Sequence, residues 1–212
     1  MEIKLESTCK GTRIIMGDTA KLKRKLINSM IEVLESFGYE EVMIPIIQKA
    51  ESFTSKVGEE NKQMMYTFKD MGDRDLCLAP EYTAIIQQMA KERFKFNKDV
   101  KLFYIGECFR GEKPQLGRYR QFTQFGVEVI NPSKDYNDEM ISIASKILEL
   151  ATKNYEVNSD AKRGLDYYKD GKGFEISCPE LGAQKQVCGG GEYEGGVGFA
   201  IGVDRIMLLK KD

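Results

Sequence analysis

The apolar positions of this chain change period along its length, and each change marks an element. From Asp18 to about Phe37, Leu22, Leu26, Ile27, Met30, Leu34 and Phe37 recur at the three- and four-residue spacing that lines one side of a helix. Asp18 is suited to cap its start and Gly38 to end it. The basic residues Lys21, Lys23, Arg24 and Lys25 read as its solvated face. A strand is expected over 39–44, loop or weak helix over 50–62, and a hairpin from 63–68 and 74–79 that turns at Met71-Gly72-Asp73. Residues 80–94 read as helix. A second amphipathic helix is expected over 135–151, through Met140, Ile141, Ala144, Ile147, Leu148 and Ala151. The tail reads as strands near 164–168, 172–178, 184–189 and 196–201, the last entering a helix from about Gly202 to Leu209. Together these predict one domain over 1–212 without repeats, of the α+β class, with a mixed, mostly antiparallel sheet.

One stretch carries more than architecture. Residues 102–130, LFYIGECFRGEKPQLGRYRQFTQFGVEVI, read as two extended runs around a basic turn. Successive strand residues point to opposite sides. Tyr104, Gly106, Cys108 and Arg110 therefore share a face, continued by Glu112, as do Arg118, Arg120, Phe122, Gln124, Gly126 and Glu128 on the second run. Phe125, Val127 and Val129 face the other way, toward a core. The polar face combines guanidinium forks suited to phosphate or carboxylate, an aromatic plate suited to a purine, and two glycines expected to leave room for a ligand.

Composition narrows the chemistry. The 212-residue chain has 32 basic and 33 acidic residues, a balance that argues against coating nucleic acid by charge alone, so any RNA contact is expected to be local. No apolar run approaches the ~20 residues of a membrane span, and the N-terminus has no signal-peptide pattern, so a cytoplasmic protein is expected. Cys9, Cys77, Cys108, Cys178 and Cys188 are scattered without metal-ligand spacing and read as reduced thiols. There is no histidine at all, which excludes Ser-His and Cys-His nucleophiles, imidazole proton shuttles and His-ligated metals. Chemistry that proceeds by positioning and charge remains open, and adenylate formation is of that kind, because an ionised carboxylate is already a nucleophile.

The motifs resemble those of the class II aminoacyl-tRNA synthetases, in family order. The stretch 102–130 is similar to motif 2, and its GEKPQLGRYRQFTQFGVEV wording to the histidyl version. GYEEVMIP, residues 38–45, resembles motif 1. LAPEYT, residues 78–83, resembles the loop that holds the amino acid's ammonium group. RGLDYY, from Arg163 to Tyr168, resembles a signature of histidyl enzymes, and GGGEYEGGVGFAIGVDRI, residues 189–206, the histidyl glycine motif running into motif 3. The resemblance implies the class II catalytic fold, a six- or seven-stranded antiparallel sheet with helices behind it, and a homodimer built on motif 1, with the Leu22–Phe37 stripe facing partly the core and partly the second subunit.

It also implies roles. Arg110 would bridge the substrate carboxylate and the ATP α-phosphate, Glu112 would accept from the adenine amino group, and Arg118 would hold the outer phosphates. Phe122 would lie against adenine, with Arg205 clamping from the opposite side and Arg163 at the α-phosphate. Glu81, Thr83, Gln124 and Glu128 would line the amino-acid pocket, Tyr168 and Tyr193 would face the substrate side chain, and Gly189–Gly191 would give it space. Mg²⁺ would come with the ATP. Histidine is the favoured amino acid and a tRNA acceptor end a possible partner.

Departures from the family wording are Ala79, Tyr82, Gly111, Thr123 and Glu192. Tyr82 is expected to narrow the amino-acid pocket and Glu192 to reverse charge near the substrate. Only 34 residues separate Glu128 from Arg163, too few for the insertion domain usual there, and no anticodon-binding domain is expected after motif 3. Three readings follow: a minimal tRNA-charging enzyme, an amino-acid-activating enzyme with another acceptor, and a non-catalytic paralogue resembling the histidine-sensing regulatory subunit of histidine biosynthesis.

Overall fold

Helix α1 (Gly17–Ser36) begins one residue before Asp18, which caps nothing; its carboxylate sits in the first turn, where the helix dipole favours it, and accepts from Lys21 at 2.9 Å. The helix stops where the sequence requires, because Gly38 takes φ +76, a conformation a side chain would resist. These elements belong to a computed structural model that describes residues 8–54, 62–162 and 168–210. After α1 come β1 (Glu40–Glu41), β2 (Ile47–Lys49), the single turn α2 (Glu51–Thr54), β3 (Thr67–Lys69), β4 (Asp75–Leu78) and α3 (Thr83–Glu92). The long hairpin β5 (Val100–Phe109) and β6 (Gln121–Ile130) leads to α4 (Asn137–Glu149), β7 (Glu156–Asn158) and β8 (Tyr168–Ser177). A 3₁₀ segment (Pro179–Gln184), β9 (Gln186–Tyr193), β10 (Gly196–Gly202) and α5 (Val203–Met207) complete the described chain.

Seven strands form the main sheet in the order β1-β5-β6-β10-β9-β8-β7. Every neighbouring pair is antiparallel except β1 with β5, which agrees with the expected α+β fold. The strand expected over 39–44 is short, and Val42 extends that edge only by donating to Phe103 O at 2.8 Å. The expected hairpin at Met71-Gly72-Asp73 is present, with Asp73 at φ +59, and joins β2 in a separate sheet ordered β2-β4-β3. Most of the strand expected at 164–168 lies outside the described residues.

Alternation places the core as expected. Phe125, Val127 and Val129 of β6 point with Val197, Phe199 and Ile201 of β10 into a cluster completed by Leu26, Met30 and Leu34 of α1 and by Met140, Ile143 and Ile147 of α4. Each such fully buried side chain contributes roughly 1.5–3 kcal/mol. Of the apolar stripe of α1, Leu26, Met30 and Leu34 are buried in the chain's own core, Ile27 and Phe37 pack against it half-buried, and Leu22 is half-buried. On the opposite face of the sheet α3 covers one end, setting Ile86 and Ala90 against Leu102, Tyr104 and Cys108. The small sheet backs α3 through Cys77, Ala84 and Ile85. The rest of that sheet face is left to form a cleft.

Candidate functional site

The cleft has a volume of about 480 Å³, and its floor is set by strand register. In one row across the sheet Gly126 of β6 pairs with Ala200 of β10, which pairs with Gly189 of β9 and then Glu175 of β8. Ala200 and Gly189 keep the middle of that row low and line the cleft with Glu175, whereas the space over Gly126 is taken by the Tyr104 ring. In the next rows Gln124 lies between Gly106 and Gly202, and Glu128 between Leu102 and Gly198. A side chain at 198 would collide with the Glu128 carboxylate, so the position lets that carboxylate lie across the strand.

Three guanidinium groups reach the cleft from separate segments. Arg110, just past β5, donates from Nε to Pro80 O at 2.8 Å, and its guanidinium carbon stands 5.2 Å from the Phe122 ring centre. Arg118, in the turn between the hairpin strands, pairs with Glu112. Arg205, in α5, donates from Nε to Gly117 O at 2.9 Å and from Nη1 to Gln186 O at 2.5 Å. Gly117 holds that turn at φ +74. Burial pushes the Arg205 pKa below its ordinary value, and the nearby positive charges of Arg118 and Arg110 add to this against an opposing pull from Glu112. Cations crowded until they repel one another mark a place built for a polyanion.

Beside them is a carboxylate and hydroxyl cluster. Glu81 accepts the backbone N–H groups of Thr83 at 2.6 Å and Ala84 at 3.0 Å, capping α3 where the helix dipole favours an anion. The Thr83 hydroxyl donates to Glu128 at 3.0 Å and the Tyr193 hydroxyl donates to its other oxygen at 2.8 Å. Burial raises the Glu128 carboxyl to about 8, outweighing the two hydrogen bonds that favour its ionised form. Gln124 donates to the Tyr104 hydroxyl at 2.9 Å and accepts from the Cys108 thiol at 3.0 Å, which fixes the orientation of its amide. Burial pushes both that phenol and that thiol well up, so each stays protonated.

Of the residues singled out from the sequence, Glu81, Thr83, Arg110, Glu112, Arg118, Phe122, Gln124, Tyr168 and Arg205 all line the cleft. Glu128 and Tyr193 do not reach its surface. They are buried one layer behind it, against Thr83 and against Tyr168, whose ring meets that of Tyr193 edge-on at 6.4 Å. Arg163 lies outside the described residues. Tyr119, Lys162, Glu175 and Asp204 also line the cleft and were missed, since each needs the fold to bring it there.

Several expectations are corrected. Gly106 and Gly126 leave room for buried tyrosines, not for a ligand: an added Cβ would strike the Tyr82 ring at 106 and the Tyr104 ring at 126. Tyr82 does not narrow the cleft; it is buried behind it, donates to Glu107 O at 2.9 Å and packs on Tyr104. Of the glycine run only Gly189 lines the cleft, whereas Gly190 faces Phe174 and Phe199 in the core and Gly191 meets the backbone of Lys172. Glu192 shares the Gly190 side of β9, so its charge is held away from the cleft by Asn137, Lys169 and Lys172. Arg120 leaves the face that alternation assigns to it because β6 starts only at Gln121, and in the turn its guanidinium donates to Glu112 O and Lys10 O. Asp204, the residue before Arg205, pairs with Arg13.

Comparison with known proteins agrees with this geometry. A family model described as histidyl-tRNA synthetase matches residues 11–160. Histidine–tRNA ligase of Archaeoglobus fulgidus is 32% identical, with 93% of this chain and 74% of the relative covered. That of Methanosarcina acetivorans is 30% identical, with 94% and 74% covered. The first alignment runs over 304 residues against a chain of 212, so the relative carries a long stretch with no counterpart here. Among solved structures, the apo histidyl-tRNA synthetase of S. aureus superposes with TM-score 0.79 at 26% identity, over 97% of this chain and 70% of the other. A Bacillus halodurans protein titled as an ATP phosphoribosyltransferase regulatory subunit/histidyl-tRNA synthetase superposes with TM-score 0.78 over 100% of this chain and 85% of the other, but at 14% identity it shares the fold alone.

Proposed function

Because the chain belongs to the histidyl-tRNA synthetase family, we propose that its cleft binds ATP and histidine, joins them as an aminoacyl adenylate, and passes the aminoacyl group to the acceptor end of a tRNA. The observation that carries this reading is the convergence of Arg110, Arg118 and Arg205 on one cleft. The substrate carboxylate attacks the α-phosphorus, a new oxygen–phosphorus bond forms, and the bond to the bridging oxygen breaks to release pyrophosphate. No histidine side chain of the protein is needed, since the attacking carboxylate enters ionised.

Arg110, anchored through Nε, presents its remaining nitrogens to the carboxylate and the α-phosphate together. Arg118 holds the outer phosphates, and Arg205 clamps the nucleotide against Phe122, on which adenine lies. Glu112 accepts from the adenine amino group through the acceptor capacity that Arg118 leaves over. Arg163 stands for a fourth cation at the α-phosphate. Glu81 keeps acceptor capacity beyond its two backbone bonds and, with Thr83 and Gln124, receives the ammonium group, while Glu128 acts from behind through its bond to the Thr83 hydroxyl. Tyr168 faces the substrate side chain, and Tyr193 supports it from one layer behind, ring against ring. Among the described residues no group of three or more acidic or cysteine side chains could hold a metal, so Mg²⁺ would arrive on the triphosphate, where it would screen phosphate charge.

The reading is tested by amino-acid-dependent exchange of pyrophosphate into ATP, run with each standard amino acid. Exchange with histidine is expected. Intact ATP binding without exchange for any amino acid would overturn the reading in favour of the regulatory paralogue.

The same reading includes a homodimer in the cytoplasm. Ile47, Leu76, Leu78, Tyr66 and Phe68 share one face of the small sheet, and Ile47, Tyr66 and Phe68 are exposed there, with Met43, Ile46 and Met71 exposed nearby. A second copy covering this face would remove that apolar surface from water. A two-chain particle is expected in sedimentation at micromolar protein, and Phe68→Lys should dissociate it; a monomeric parent would refute the pairing. All five cysteines are free thiols, as suits a reducing compartment, and no described helix is long and apolar enough to cross a membrane.

A further inference from the structure

The segment 9–13 lies across the turn that carries Arg118. Gly11 O accepts from Arg120 N at 2.8 Å, and Lys10 O accepts from the Arg120 guanidinium at 3.3 Å. Gly11 meets Pro114 and Arg120 so closely that a Cβ there would press on both side chains. The segment is itself folded back by Thr12, whose N–H and hydroxyl both donate to Cys9 O, at 3.0 and 2.7 Å.

Arg13 ends this strap with two contacts. Its guanidinium carbon stands 3.3 Å from the centre of the Tyr119 ring, a cation stacked on the residue next to Arg118. Its Nη2 pairs with Asp204, the residue before Arg205. Asp204 is buried and joins three more segments: it accepts from Thr123 N at the start of β6 at 2.6 Å, lies 3.7 Å from Lys23 of α1, and heads α5. From the other side Arg205 donates to Gly117 O in the same turn. The turn is thus held between the strap and α5, and Arg13 touches both holders.

We infer that Arg13 is a positioning residue for the phosphate clamp: through Tyr119 it places Arg118, and through Asp204 it places Arg205, so that both guanidinium groups face one triphosphate. The inference rests on the ATP reading of the cleft. A planar guanidinium can stack on a ring and pair with a carboxylate at once, whereas a lysine ammonium on a single stem cannot hold both. The amino-acid side of the cleft is built on Glu81, Thr83, Gln124 and Glu128, which bond to one another, to the start of α3 and to Tyr104, Cys108 and Tyr193, and it is expected to stay in place when the strap is weakened.

The test measures ATP affinity by calorimetry, and KM for ATP and for histidine by pyrophosphate exchange, in the parent, Arg13→Lys and Arg13→Gln. Arg13→Gln is expected to weaken ATP about tenfold or more, the scale of one lost charge-assisted contact, with the KM for histidine unchanged. Arg13→Lys keeps the ion pair, so it should fold like the parent and show a smaller loss for ATP alone. Equal losses for ATP and histidine, or an ATP affinity in folded Arg13→Lys equal to that of the parent, would overturn the inference. A parent that binds ATP without exchange would refute the proposed activity while the calorimetric comparison still decides the role of Arg13. A parent that binds no ATP would overturn both.

Discussion

Replacing Arg110 with lysine is expected to slow pyrophosphate exchange by about a hundredfold or more, the scale of removing one fixed donor from a developing charge. The charge survives this change, so a purely electrostatic role would be largely spared. The geometry does not survive. Arg110 uses Nε on Pro80 O and keeps its outer nitrogens for the cleft, with its plane close to the Phe122 ring. A lysine that bonds Pro80 O has no second nitrogen to bridge carboxylate and α-phosphate, and one that bridges loses its anchor. The thermal midpoint should hardly move, because Arg110 is only partly buried and packs in no core cluster. Exchange within about threefold of the parent, a difference under 1 kcal/mol, would remove Arg110 from the reaction centre.

The second large effect is on pH dependence. Glu128 holds its proton up to about pH 8 in the folded chain, against an ordinary carboxyl value of 4.5, because burial penalises its charge. Between those values the folded protein keeps a proton that the unfolded chain has released. Stability therefore falls as pH rises through this window, by at most ~1.4 kcal/mol per pH unit, and the loss ends once the folded form also ionises near pH 8. Glu128→Gln has no proton to lose; its amide oxygen still accepts from one of the two hydroxyls, Thr83 or Tyr193, and its NH2 donates to the oxygen of the other. Denaturant unfolding from pH 5 to 9 should show the parent losing on the order of a few kcal/mol relative to the variant, with the difference flat above pH 8. Parallel curves would mean that Glu128 is ionised throughout. The variant should also bind histidine more weakly and ATP equally well, since Glu128 holds the Thr83 hydroxyl at the amino-acid end of the cleft from one layer behind it.

The two sites of these predictions were legible in different degrees. Arg110, Phe122 and Gln124 were assigned to one face by alternation along β5 and β6, and they line the cleft as expected. Alternation failed for Arg120, which lies in the turn, where no pleat fixes its side. It misled at Gly106 and Gly126, because a glycine announces space but not its occupant, and Tyr82 and Tyr104 take it from within the chain. Glu192 looked like a charge beside the substrate until β9 proved continuous through the glycine run, which turns that residue to the opposite face.

Local periodicity and side-chain chemistry settled the helices at 17–36 and 137–149, the long hairpin, the absence of any imidazole chemistry and the kind of ligand that hairpin suits. These depend on residues a few positions apart, which is the range over which backbone sterics and burial impose a period. Long-range packing decided the rest: the low floor at Ala200 and Gly189, the depth of Glu128, the crowding of Arg205 by Arg118 and Arg110, and the hold of Arg13 on Tyr119 and Asp204. Each of these joins segments far apart in the chain, and strand register and core packing, not local preference, determine which of them meet.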